Sequence, residues 1–425
     1  MTTNITTLSN GLRVVTHDMP HLETVSLGVW VAAGSRHEPE PLHGISHLLE
    51  HMAFKGTATR SAQRIAEEIE EVGGDLNAAT SLETTSYYAR VLKGDASVAL
   101  GLISDILQDS VFDPAELERE REVILQEIAA YQDSPEDVAY DLVQEAAFPE
   151  QPVGRTILGT AESVRDISRA ALADYLGEHY GSPRIVLAAA GGVDHDAVVR
   201  QAESLFSGLG GTARGADDSA HYKGGIRASA KPFEQGHVVL GFEAPAYGQP
   251  NYLAMQVLAG VLGGGMSSRL FQEVREKRGL CYSIYASAWG LSDTGMISVH
   301  AATTPEQLAE LIAVTADEIV RLAEHGATAA EVQRAKAQLK VGLMMGLESS
   351  SARAEQMARH LIAYGRLVGQ DELAARVEAV TAEDVGLLCQ GMVVSPPAVA
   401  VVGAGNRSHE LAEQAAARFV PPVKH

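Results

Sequence analysis

The sequence predicts an α+β protein made of two homologous halves, each a mostly antiparallel or mixed sheet covered on one face by helices. Three observations carry that expectation. Strand-like and helix-like segments recur in the same order in both halves, the helix openings match, and strands are grouped beside long helices rather than strictly alternating with them.

In the first half an apolar strand, Val25–Ala33, leads through a helix-like segment, Ala62–Val72, and two strand-like runs to a helix over Phe112–Tyr131. The second half repeats this order with Val238–Ala244, Asn251–Leu262, Ser283–Ala288 with Gly295–Ala301, and Thr328–Met345. Asp113-Pro114 and Glu116 read as an N-cap, a first-turn proline and a capping-box acid, and Thr328 with Glu331 repeats the box. Ser168 and Thr381 open a second matching pair of helices. Apolar strands Pro183–Gly191 and Pro397–Gly403 close the halves at an offset of a little over 210 residues. The domains expected are 1–210 and 233–425, joined through a Gly/Ala/Ser/Asp-rich linker at 211–232.

Composition narrows the function. Thirty-three Lys and Arg against 55 Asp and Glu give a formal net charge of −22. Without a basic cluster, phosphate-backbone binding is not expected, and cationic partners are favoured instead. Cys281 and Cys389 are too few for a disulfide framework and too far apart for a CxxC pair. No apolar run has the length of a membrane span. The N-terminus shows no cationic segment leading into an apolar core, and Asn10-Gly11 turns between two β-like runs, so the expected location is the cytoplasm.

The chemistry is carried by His47-Leu48-Leu49-Glu50-His51. On a helix, two histidines four apart and a glutamate beside the second share one side, a spacing that chelates one metal ion. With 15 His and 55 acids in 425 residues, about 0.07 such arrangements arise by chance. Glu50 has the chemistry of a general base beside zinc-activated water. His43 offers a competing pair with His47 but lacks the glutamate, and reads as an ordinary turn residue. A third ligand is expected from the acid-rich helix bearing Glu116, Glu118, Glu120, Glu122 and Glu127. Glu120 and Glu127, seven apart, share a face, so one can ligate while the other orients a ligand. The competing interpretation of this run is a solvated acidic surface.

These residues resemble the pitrilysin family of inverted zinc-motif metallopeptidases, and are most similar to the processing-peptidase catalytic subunit and its short bacterial relatives. The resemblance rests on His47–Thr57 and on Glu118-Arg-Glu-Arg-Glu-Val-Ile-Leu-Gln-Glu127, and it extends over essentially the whole chain. It implies one Zn2+ per chain held by His47, His51 and Glu127, Glu50 as general base, and Glu120 supporting a ligand. Gly73–Ser81 resembles the family's edge strand, on which an extended peptide is added by main-chain hydrogen bonds through Asn77, Ala78 and Ala79. Leu262–Ser283 resembles the signature of the noncatalytic half, whose Arg275 and Tyr282 contact the substrate backbone and the tetrahedral intermediate. Asp137 and Asp141 stand where the processing peptidase carries acids that recognise an arginine. Both are Asp here, which shortens their reach. Ala335 and Gly342 fall where Glu120 and Glu127 would at an offset of 215, so the second half lacks a zinc site.

The expected function is a zinc-dependent endopeptidase for extended or unfolded, preferentially basic, peptide segments. The family's four-domain chamber implies a dimer, most simply a homodimer, with a heterodimer containing an inactive paralogue as the variant. No nucleic-acid or membrane partner is expected. The alternatives are a noncatalytic assembly or binding subunit of a peptidase complex and a zinc amidase of nonpeptide substrates.

Overall fold

The computed structural model describes residues 2–211 and 219–419. Its first sheet contains β1 (Thr2–Thr7), β2 (Arg13–Asp18), β3 (Thr24–Val31), β4 (Asp75–Thr80), β5 (Thr85–Leu92) and β6 (Ile185–Gly191). Their spatial order is β1-β2-β6-β3-β5-β4. All residues of β6 are buried, as suits a central strand covered on both faces. Buried and more exposed residues alternate along β5, the pattern of a strand with one face in the core.

The second sheet contains β7 (Gly225–Ala244), β8 (Ile284–Gly290), β9 (Gly295–Thr303) and β10 (Ala398–Ala404), ordered β10-β7-β9-β8. Strand β10 pairs with both arms of β7: Ala398–Val402 registers with Gly225–Ser229 and, in the opposite direction, with Gly241–His237. This repeats β6, which is parallel to β2 and antiparallel to β3. The internal repeat therefore extends to strand direction and register.

Each sheet packs its principal core against helices on one face, and a further helix lies on the other. Among the described residues the first compact unit comprises 2–128, 156–211 and 345–367, and the second comprises 129–155, 219–344 and 368–419. The contiguous ranges 1–210 and 233–425 expected from the sequence therefore need correction. The helix Ser350–Tyr364 buries Ala354, Met357, Ala358 and Leu361 with Val15, Trp30, Val186 and Ala188 in the first unit. The helix Pro135–Ala147 buries Ala139, Val143, Ala146 and Ala147 in the second and packs on β7 and β10. Sequence periodicity reveals such an apolar face but not which sheet receives it. Of the expected linker 211–232, residues 212–218 lie outside the described residues, and 225–232 already belong to β7.

Candidate active site

The helix Ile45–Ala53 buries Ile45, Ser46, Leu48, Leu49, Met52 and Ala53, which leaves His47, Glu50 and His51 together on its other side. Its opening is built by two features the sequence did not advertise. Gly44 adopts φ 94° at the N-cap, where a Cβ would meet the Leu158 carbonyl oxygen at 2.8 Å. The buried Glu38 carboxylate accepts the Gly44 and Ser46 backbone N–H groups, each at 2.8 Å. A negative charge there satisfies otherwise unpaired donors and complements the helix dipole.

The helix Pro114–Gln132 presents Leu117, Glu120, Ile124 and Ile128 as its buried stripe. Glu120 is thus an acid within an apolar stripe, only 6% exposed. Its Oε2 lies 3.0 Å from His51 Nδ1 and its Oε1 lies 2.7 Å from Lys55 Nζ. The solvated-surface interpretation applies instead to Glu116 and Glu118, which pair with Arg119 and Arg121.

Two turns beyond Glu120, Glu127 Oε2 stands 3.7 Å from His47 Nε2 and 3.6 Å from His51 Nε2. Tetrahedral zinc ligands at about 2.0–2.2 Å from the ion lie roughly 3.4 Å from one another, so these three atoms need little adjustment to share one ion. Burial, assisted by the charge of His51, pushes the His47 pKa down to about 4, leaving a neutral imidazole able to donate its lone pair. The Glu120 contact at His51 Nδ1 places a proton on that nitrogen and leaves Nε2 free to ligate. The donor set therefore fits a divalent zinc-like ion. His43 is not part of this cluster and instead contacts the Thr156 carbonyl at 2.7 Å through Nε2.

Glu50 stands beside the cluster with Oε2 accepting the Thr80 hydroxyl at 2.5 Å. Burial raises its pKa, opposed chiefly by that hydrogen bond. Thr80 ends β4, so the edge strand bearing Asn77, Ala78 and Ala79 is bonded directly to the candidate base. Strand β4 pairs with β5 on one side only, so its other side is a sheet edge open to another strand, on which the Ala78 N–H now donates to the Asn77 side-chain oxygen at 2.8 Å.

The remaining expected site residues belong to the second unit. Arg275 lies on a π-helical segment, Phe271–Glu276, with its guanidinium 4.5 Å from the Phe271 ring centre and 5.2 Å from that of Tyr282. The seven-residue spacing thus brings Arg275 and Tyr282 together, with Tyr282 84% exposed. Asp137 and Asp141 lie one turn apart on the helix Pro135–Ala147. Both are partly buried, and desolvation, followed by the Asp137 charge, raises the Asp141 pKa to about 7.

A helix-borne His-x-x-Glu-His set completed by a glutamate from a second helix, on a duplicated α+β scaffold, defines an inverted-motif zinc metallopeptidase architecture. The chain belongs to peptidase family M16: residues 13–161 match the insulinase domain of that family and residues 166–339 match its inactive domain. It is 41% identical to an uncharacterized zinc protease of Mycobacterium tuberculosis (strain ATCC 25618 / H37Rv), over 96% of this chain and 95% of that one. It is 36% identical to the uncharacterized zinc protease YmxG of Bacillus subtilis (strain 168), over 94% and 98%. Its fold matches a crystal structure described as a peptidase M16 inactive domain from Pseudomonas fluorescens, with TM-score 0.88, 20% identity and coverage of 95% and 98%. A protease from Helicobacter pylori matches with TM-score 0.86, 22% identity and coverage of 94% and 99%. Among the described residues, no helix is long and apolar enough to cross a membrane.

Proposed function

We propose that the protein is a zinc-dependent endopeptidase cleaving extended peptides or unfolded segments, with one catalytic Zn2+ per chain at His47, His51 and Glu127. The observation that carries this reading is the convergence of those three ligands beside Glu50. When bound, the ion polarises the scissile carbonyl and acidifies a water. Glu50 accepts the proton as the water oxygen bonds to the carbonyl carbon. It then delivers that proton to the leaving nitrogen as the C–N bond breaks. The Thr80 hydrogen bond holds Glu50 in position for both transfers, and Glu120 fixes the His51 ring. The open edge of β4 aligns the substrate as an added strand, which takes the Ala78 N–H from the Asn77 side chain.

Arg275 and Tyr282 are the proposed contacts to substrate backbone and tetrahedral intermediate, and Asp137 with Asp141 the proposed source of a preference for basic residues. The catalytic assembly is proposed to be a dimer enclosing the substrate, most simply a homodimer. The net charge of −22 supports attraction of basic peptides. The alternative, a noncatalytic assembly subunit, has to account for an intact set of ligands and base. The test is cleavage of a quenched-fluorescent, arginine-containing unstructured peptide and of a small amide, by the parent and by Glu50→Gln, with bound zinc quantified. Peptide turnover lost in a variant that keeps zinc supports the mechanism. Zinc without turnover in the parent favours the noncatalytic reading, and turnover of the small amide alone favours an amidase.

A further inference from the structure

The second unit carries another cluster of metal-ligating groups outside the site described above. His300 on β9 registers with Tyr285 on β8 and with Val239 on β7, and His237 lies two residues before Val239. The side chains of His237 and His300 therefore share the sheet face covered by the helix Pro135–Ala147, away from the core that takes Val238, Leu240, Val299 and Ala301. That helix adds Glu136 and, one turn later, Tyr140.

His237 is 5% exposed and His300 1%, and His237 Nδ1 stands 3.1 Å from His300 Nε2. Ligating atoms of both rings and of Glu136 lie within 4.8 Å of one another. Tyr285 donates its hydroxyl to Glu136 Oε1 at 2.6 Å and receives that of Tyr140 at 2.9 Å, which orients the carboxylate while leaving its other oxygen available. His237 Nε2 and His300 Nδ1 are buried without a hydrogen-bond partner. The nitrogens that face each other, His237 Nδ1 and His300 Nε2, are the pair close enough to share a ligand with Glu136, so the outer nitrogens, His237 Nε2 and His300 Nδ1, carry the protons when the inner pair ligates. The corresponding face of the first unit is closed by apolar packing of the helix Ser350–Tyr364, with Ser26 bonding Ser350 and Ser351.

We propose that Glu136, His237 and His300 form a second site for a divalent transition-metal ion, which ties the helix Pro135–Ala147 to its sheet and takes no part in peptide hydrolysis. The present nitrogen separation needs to widen by only about 0.3 Å to match two ligands of one tetrahedral ion. Burial keeps both rings neutral, lowering the His300 pKa to about 4 and that of His237 in the same direction. Two imidazoles and one carboxylate select zinc, cobalt or nickel over magnesium or calcium.

The test strips the full chain with chelator, refills it with Zn2+ and counts metal by mass spectrometry after dialysis. Expected are about two zinc ions per parent chain, about one in His47→Ala/His51→Ala, and none when His300→Asn is added. Glu136→Gln in the His47→Ala/His51→Ala background weakens the remaining site by roughly 10-fold or more and guards against a folding defect in the histidine variant. Cobalt absorption bands in the His47→Ala/His51→Ala chain report coordination directly. The proposal is overturned if that chain binds no metal, if His300→Asn leaves its count at one, or if Glu136→Gln leaves its affinity unchanged. A separate zinc count on His237→Asn/His300→Asn reads the first site alone, so failure here is distinguishable from failure of the peptidase reading.

Discussion

The two units use one architecture with opposite outcomes where the helix after the first long strand meets the later helix. In the first unit His51 reaches Glu120 and Glu127. In the second, the helix Tyr252–Gly263 follows β7 as Ile45–Ala53 follows β3, and so corresponds to that helix rather than to Ala62–Val72 as the sequence order suggested. Its Gly260 faces Ala335 on Ala329–Gly346 so closely that a Cβ on Gly260 would lie 3.1 Å from that of Ala335. Small residues let these helices close on each other. The first unit instead fills the same junction with an imidazole–carboxylate pair, whose burial has to be offset by mutual hydrogen bonding and, when present, a cation. A duplicated fold therefore tolerates either solution, and chemistry follows from which residues stand at the junction.

The largest expected effect breaks the first unit's function while keeping its fold. Glu50→Gln retains the Thr80 contact through the amide oxygen but cannot take a proton. Peptide turnover should drop by about 10²–10⁴-fold, measured as kcat with zinc content unchanged. Zinc lost together with activity would show that Glu50 shapes the metal site rather than serving as its base. Glu120→Gln sharpens the same comparison: zinc affinity should fall by roughly 10–100-fold, read by competition with a chromophoric chelator. Ala335→Ser, the mirrored position, should leave zinc affinity unchanged.

A third prediction tests what the units share. Gly191, the last residue of β6, and Gly403, the last but one of β10, have φ 126° and 88°, and a Cβ at either would fall 2.3 or 2.1 Å from a carbonyl oxygen, of Thr24 or Gln235. Gly191→Ala and Gly403→Ala should each destabilise by about 1–3 kcal/mol, measured by urea denaturation. A large loss at one and none at the other would show that the repeat's symmetry does not extend to its energetics.

Much of this was legible in the sequence because it depends on local order. Caps at Asp113, Ser168, Thr328 and Thr381 form as expected, and periodicity places His47, Glu50 and His51 on one helix side. The seven-residue spacing put Glu120 and Glu127 on one face and only the family resemblance said which of them ligates, while an acid interrupting the stripe Leu117, Ile124, Ile128 is an independent signal for Glu120. Glu38, Thr80 and Lys55 were missed. Glu38 and Thr80 act through contacts made by tertiary folding, at separations that no periodic pattern encodes. Lys55, four after His51, had a spacing signal but no visible partner. The destinations of Pro135–Ala147 and Ser350–Tyr364 were hidden for the same reason, since an apolar stripe does not name the sheet that covers it.

The smallest effect expected concerns Asp141, which shares its borrowed helix with Asp137 in the second unit. Desolvation, then the Asp137 charge, raises its pKa to about 7 from 3.8, so the folded chain binds a proton there that the unfolded chain releases at lower pH. Its contribution to stability is present below pH about 4 and lost as pH rises toward and through 7. Asp141→Asn carries no charge to desolvate and keeps an oxygen for the Tyr131 hydroxyl. The variant should therefore match the parent near pH 4 and exceed it in stability at pH 8, read as a separation of urea midpoints that opens between those values. In the peptidase assay it should raise KM for an arginine-containing peptide at pH 8 and leave kcat nearly unchanged, because the parent's recognition charge exists only above its raised pKa. Parallel midpoint curves across this range would mean that Asp141 is solvated, and that the acidic pair is a surface feature rather than a buried specificity element.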